Sequence, residues 1–248
     1  MQQGNERPTC GLHPAGVVKP RGPAVDRAII ERFLALEDLS GTISDVLDKL
    51  GVRGVAGASI LIPTLPQQRI VGPAVTVRNV PQDLDPLQSV TGNDNRMTEI
   101  EGIQAGEPGD VLVIQGVRDT SNMGGIMATL AQRQQFAGAV VDGGVRDVGQ
   151  SRRIGFPIWS SDISPITGKW RCVTVEVNGA VTIAGLAVRA GDLVVADETG
   201  TCFVPHHLIA KVLPMAEDIT HKERKILQDI AGGIGIPPLA KALFGRGG

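Results

Sequence analysis

At 248 residues the chain is long enough for one sizeable domain with a proper core, or for two small ones. A hydrophobic share of 42%, a charged share of 20% and a net charge of −2 without basic blocks describe a globular protein, and exclude nucleic acid or an anionic membrane as the main partner. Aromatics are scarce and Tyr is absent, which argues against a base-stacking surface, whereas 32 Gly and 16 Pro suit short strands and turns around an aliphatic core.

In chain order, residues 1–24 are rich in Gly and Pro without periodicity and read as a flexible N-terminal arm. Residues 25–230 read as a single α/β domain, and 231–248 as a C-terminal tail that could reach a neighbour. Asp26 to Asp38 has helical spacing through Ile29, Ile30, Phe33 and Leu34. Ser40-Gly41-Thr42 then caps a second helix closed by Gly51. Strands are expected at Ala58 to Ile62 and at Arg69 to Val80. The polar turn Asn93-Asp94-Asn95, which could also wall a ligand site, precedes a short helix, MTEIEGIQA. Glu107-Pro108-Gly109-Asp110 turns into the strand VLVIQG. After the central stretch, further short strands are expected at Ile158-Trp159, Val173 to Val177, Val181 to Ile183, Leu193 to Ala196 and Cys202 to Val204. A long helix runs from Pro205 to about Ile230, with a kink at Pro214.

The central stretch, Asn122 to Asp147, carries the chemistry. Its first half, Gly124 to Gln135, has helical spacing with Asn122 as a plausible cap, and two glycines leave the opening amides approachable by an anion. Its second half, Ala137 to Val141, is a buried parallel-type strand ending in a turn at Asp142-Gly143-Gly144, which delivers Arg146 and Asp147 side by side. In an open α/β sheet ligands collect past the carboxyl ends of strands, so an amide-rich helix start, a guanidinium and a carboxylate would converge. This predicts a site for a small carboxylate bound to a divalent metal. With no Cys or His cluster, a hard ion such as Mg²⁺ is favoured, and one Asp is enough for it. Arg146 can stabilise a developing enolate oxygen. The plainer alternative is a turn-end ion pair, with Asp147 capping the following segment. His206, His207 and His221 read as exposed helix positions. Neither G-x-S-x-G nor G-x-G-x-x-G occurs, which counts against a serine hydrolase, a Rossmann cofactor domain and methyl transfer.

The run GGIMATLAQRQQFAGAVVDGGVRDVGQSRRIGFPIW resembles the RraA-like superfamily, which includes metal-dependent 4-hydroxy-4-methyl-2-oxoglutarate/4-carboxy-4-hydroxy-2-oxoadipate aldolases. The resemblance extends from LSGTISDVLDKLG at Leu39 through IVGPAVTV and PGDVLVI to ADETGTCFVP. The family signature is Gly-x3-Asp-x20-Arg-Asp. Arg146 and Asp147 match its last pair, but Gly125 stands at the acid and Ser121 at the first glycine.

The resemblance implies a compact β/β/α sandwich with mixed sheets, assembled as a homotrimer or hexamer with sites between subunits. It implies Asp147 as metal ligand for Mg²⁺ or Mn²⁺, and Arg146 as the catalytic contact to carbonyl and enolate. Gly125, with the amides of Ile126 and Met127, would bind the substrate carboxylate. Asp119 or Glu198 could replace the missing acid in proton transfer, Glu198 across a subunit boundary. The expected activity is a metal-dependent carbon–carbon lyase, aldolase or decarboxylase, that acts on a small 2-oxo acid and releases pyruvate or a relative. Rival readings are a regulatory protein of the ribonuclease-inhibitor type and a non-catalytic small-acid-binding protein. The three widely spaced cysteines, a polar N-terminus without a secretion signal and the lack of a long apolar run predict a reducing, cytoplasmic setting with no membrane partner.

Overall fold

A computed structural model of the chain describes residues 9–12 and 16–244, so the parts of the arm and tail at 1–8, 13–15 and 245–248 lie outside the described residues. Helices α1 (Arg27–Leu34) and α2 (Leu39–Lys49) precede strands β1 (Val55–Gly57), β2 (Ile62–Pro63) and the long β3 (Ile70–Pro81). Short helices α3 (Pro86–Thr91) and α4 (Ile100–Ala105) lead to β4 (Val111–Gln115), β5 (Ser121–Met123) and α5 (Gly125–Arg133). Then come β6 (Gly138–Val145), α6 (Val148–Ile154), β7 (Ile158–Ile163) and β8 (Cys172–Val177). The hairpin β9 (Ala180–Ile183) and β10 (Leu186–Arg189), strands β11 (Leu193–Ala196) and β12 (Gly200–Val204), and helices α7 (Ile209–Ala231) and α8 (Ile236–Phe244) complete the order.

Among the described residues, one curled mixed sheet runs in the order β1-β12-β11-β3-β4-β6-β7-β2, with β5 beside β6 and β8 beside β3. Its centre, β3-β4-β6-β7, is parallel, and its flanks are antiparallel. The alternation of strand side chains divides the core into layers. Leu112 and Ile114 of β4 pack with Ile103 of α4 and with Ala128 and Ala131 of α5. Val111 and Val113 face the other way, onto Val181 and Val188 of the hairpin and Trp159. All four β4 side chains are fully buried, and each contributes about 1.5–3 kcal/mol of hydrophobic stabilisation. A third layer packs α1, α2 and α7 on β11 and β12.

Several local expectations change. Helix α2 opens at Leu39, one turn early, and Ser40 sits inside it, donating its hydroxyl to Asp197 at 2.6 Å instead of capping. Ala58 to Leu61 form a turn, not a strand, with the amides of Ile60 and Leu61 returning to the Gly57 carbonyl. Helix α3 was not foreseen; Pro86 opens it and the Asp85 carboxylate accepts the Leu87 amide at 2.8 Å. The tail contains α8. The described part of the arm is tied down: the amides of Cys10 and Leu12 donate to the Glu101 carboxylate at 2.8 and 3.1 Å, Val17 and Lys19 pair with Val177, and Arg21 forks onto buried Asp110 at 2.8 and 2.5 Å.

Candidate functional site

Strand β6 lies between parallel partners, so its carboxyl end is where such a sheet offers a ligand site. The chain does not turn after Val141, as its sequence suggests, but remains strand to Val145. Asp142-Gly143-Gly144 is a bulge, with the β7 register shifting between Val141 and Gly144. Gly143 has φ +157°, and a Cβ there would stand 2.6 Å from Nδ2 of Asn122. The Asp142 carboxylate accepts the Ala184 amide at 2.7 Å, binding β6 to the hairpin instead of shaping a turn.

Asn122 is not a helix cap. It is buried in β5, where its amide nitrogen donates to the carbonyls of Val117 and Thr120 and its oxygen accepts the Val117 amide. Gly124 is the residue that opens α5. A Cβ on it would lie 3.1 Å from both Nε of Arg146 and Oδ2 of Asp147, so its bareness lets these side chains rest against the helix start.

Asp147 Oδ2 accepts the Gly125 amide at 3.0 Å and lies 3.6 Å from Nε of Arg146. Although Asp147 precedes α6, its side chain makes no cap there; of the plainer alternative only the ion pair with Arg146 is present. Asp147 reaches across from a left-handed backbone, φ 55° and ψ 34°. That conformation costs a residue with a Cβ about 1 kcal/mol, and Asp tolerates it better than most. Arg146, Asp147, Gly125, Ile126 and Met127 line one cavity of about 380 Å³, shared with Leu12, Asn95, Glu99, Ile100 and Lys169. Asp119 and Glu198 are not brought to it in this chain. Asp119 is exposed before β5, where its carbonyl accepts the Ser164 hydroxyl, and Glu198 is exposed between β11 and β12.

A Cβ at Gly125 would meet Oε1 of Gln150 at 2.5 Å, the end of a flexible side chain whose amide donates to the Thr129 hydroxyl at 3.1 Å. An amide from α6 thus occupies the space an acidic side chain would enter.

Two charged groups were missed in the sequence. Lys169, in the 3₁₀ turn Gly168–Trp170, brings a second cation to the cavity. Glu99, immediately before α4, is only 5% exposed. Burial pushes its carboxyl up to about 7, against the opposing pull of its own amide, Lys169 and Arg146. The available signal was its spacing: Glu99 stands four residues before Ile103, a core residue.

Among the described residues no three His, Cys, Asp or Glu side chains gather into a metal cage. Of the cavity's two acidic groups Glu99 is buried, and Asp147, which keeps 48% of its side chain exposed, is the accessible donor. Such a sparse all-oxygen donor set fits a hydrated Mg²⁺ or Mn²⁺, which needs one or two carboxylates plus ligand oxygens, and does not fit a structural zinc.

Known proteins share this arrangement of chain. The chain is 29% identical over 194 residues to the "Putative 4-hydroxy-4-methyl-2-oxoglutarate aldolase" of Halalkalibacterium halodurans, covering 76% of this chain and 84% of that protein. It is 29% identical over 196 residues to Protein DlpA of Legionella pneumophila, covering 78% of this chain but spanning only 30% of DlpA. Among solved structures, Streptomyces coelicolor RraAS2, described as an unusual member of the RNase ES inhibitor RraA protein family, superposes with a TM-score of 0.68 at 26% identity over 82% of this chain and 97% of that one. The profile of the RraA-like family, Aldolase/RraA, matches residues 40–203. The chain belongs to the RraA-like family.

Proposed function

We propose that the cavity binds a small 2-oxo acid and that the protein is a Mg²⁺- or Mn²⁺-dependent lyase, cleaving the carbon–carbon bond that leaves pyruvate or a relative as its enolate. The observation carrying this is the convergence of Arg146, Asp147 and the opening of α5, joined by the Gly125 amide at 3.0 Å from Oδ2 of Asp147. The first-turn amides of Ile126 and Met127 lack acceptors within the helix and suit a carboxylate. Arg146 stabilises the oxygen on which charge grows as the bond breaks. Asp147, oriented by the Gly125 amide, is the residue to hold the ion. When bound, the ion supplies Lewis-acid polarisation of the keto oxygen. Met97, Ile100 and Met127 give the cavity an apolar wall, which strengthens these interactions by limiting water.

Aldol cleavage is supported by the aldolase name of similar proteins. Decarboxylation needs no hydroxyl deprotonation, so it stays within the reading despite Gly125. Assembly as a homotrimer or hexamer belongs to the same proposal: Ile126, at the cavity, is 73% exposed in the single chain and would be covered by a neighbour. So does a cytoplasmic setting, which the free cysteines Cys10, Cys172 and Cys202 suit. No helix among the described residues is long and apolar enough to cross a membrane.

The test is pyruvate release from a panel of 2-oxo acids with Mg²⁺, with EDTA and Asp147→Ala as controls. Release abolished by both supports the reading, and release surviving both overturns it. The likeness to RraAS2 favours a second reading, a ribonuclease regulator. That protein would release no pyruvate and would bind a ribonuclease with the same affinity after Asp147→Ala.

A further inference from the structure

We infer that Glu99 is the proton-transfer residue of this cavity, a role that rests on the 2-oxo acid reading above. Its place in the fold singles it out. The cavity's other carboxylate, Asp147, is committed to the Gly125 amide and Arg146, and within the single chain Asp119 and Glu198 lie elsewhere. Glu99 enters the cavity from the start of α4, on the wall built by Met97, Thr98 and Ile100, and α5 forms another wall. Its role is independent of the bare position at Gly125, which Gln150 fills.

The charges facing it come from three other elements. Lys169 lies on the 3₁₀ turn, Arg146 at the end of β6, and the Cys172 thiol on β8. Asp147 shares the cavity. Burial and the charge of Glu99 push Cys172 up to about 11, so that thiol stays protonated and is no competing base. The carboxyl of Glu99 itself sits at about 7, where acid and base forms coexist near neutrality.

The step balances with one proton. For a 4-hydroxy-2-oxo acid, ionised Glu99 takes the C4 hydroxyl proton. As the C4 carbonyl forms, the C3–C4 bond breaks, and its electron pair passes into the enolate. Glu99 then returns the proton to C3, and pyruvate results. In a decarboxylation, protonated Glu99 performs only the second half and is recharged by water.

The test follows exchange of the pyruvate methyl protons in D₂O with Mg²⁺, a half-reaction needing no complete substrate. Oxalate affinity is measured alongside on the same protein. Glu99→Gln should slow exchange about 100-fold or more while leaving oxalate binding intact, and Glu99→Asp should recover part of the rate. The wild-type rate should carry an inflection near pH 7 that Glu99→Gln lacks. In metal-free protein, one ¹³C carboxyl resonance should titrate near pH 7 and vanish in Glu99→Gln. Wild-type exchange retained by Glu99→Gln, or that resonance titrating in the ordinary carboxylate range, overturns the role. Oxalate binding without exchange in the wild type also overturns it but leaves the binding reading standing. Absence of both in the wild type refutes the 2-oxo acid reading and the role of Glu99 with it.

Discussion

Arg146 and Asp147 are neighbours in sequence with separable tasks. Arg146→Ala removes a charge aimed at the developing oxyanion and should cost about 3 kcal/mol of transition-state stabilisation, on the order of 100-fold in kcat/KM. A loss under twofold in steady-state assays would remove it from the reaction. Asp147→Asn retains an oxygen for the Gly125 amide and a residue type that accepts left-handed backbone. It should therefore preserve the melting temperature while abolishing Mg²⁺ dependence of oxalate binding; an unchanged metal requirement would place the ion elsewhere.

Glu99 adds a stability signature. Its folded value of about 7 lies above the unfolded carboxylate value, so between roughly pH 4.5 and 7 the unfolded chain loses the proton first and stability falls as pH rises. Glu99→Gln abolishes that decline. Denaturant titration should show it near wild type at pH 4.5 and more stable at pH 8, by up to about 3 kcal/mol. A variant less stable than wild type at pH 8 would contradict the burial argument. At this scale Arg146 and Asp147 were legible because a strand and glycines immediately precede them. Glu99 was not: in MTEIEGIQA only its four-residue spacing from Ile103 hints that the short helix is covered on the side carrying this acid. Asn122 looked like a cap because its residue type suits one, yet its buried contacts in β5 take priority.

At the scale of elements, the site depends on how closely β6 and α5 approach. Gly124→Ala tests this, since its Cβ would press on both Arg146 and Asp147 at 3.1 Å. Helix propensity is not at issue at this extended cap position. Oxalate affinity should drop about 10-fold or more from misplacement of the pair, with little change in melting temperature. Unchanged affinity would show that the pair does not bind as a unit with the helix start. Long periodic or apolar segments such as β3, β4 and α7 were readable in the sequence. The three-residue β5, the six-residue α3 and β10 were not, since segments so short carry too few periods to distinguish strand, helix and turn. The GG pair was misread because a bulge and a turn use the same residues. Only the continued pairing of Gly144 and Val145 with β7 separates them.

At the scale of the whole molecule, contacts distant in sequence fix what local reading treats as loose. The arm's Arg21 meets Asp110 across 89 residues, and Cys10 meets Glu101 across 91. Arg21→Met would leave a nearly inaccessible carboxylate without its cation, and should cost about 2–3 kcal/mol in denaturant titration, discounted for the partial exposure of the arginine. A cost near zero would show the arm to be dispensable for stability. Such pairings have no signature along the chain, whereas the layered core does, through alternating Val, Ile and Leu.

The central claim is that Asp147, Arg146 and the α5 amides grip one chelated keto acid. The most direct measurement is a crystal structure with Mn²⁺ and oxalate, an analogue of the pyruvate enolate. The predicted result is an anomalous peak about 2.1 Å from an Asp147 carboxylate oxygen, with oxalate on the Ile126 and Met127 amides and Arg146. Manganese bound away from Asp147, or oxalate seated outside this cavity, would contradict the account.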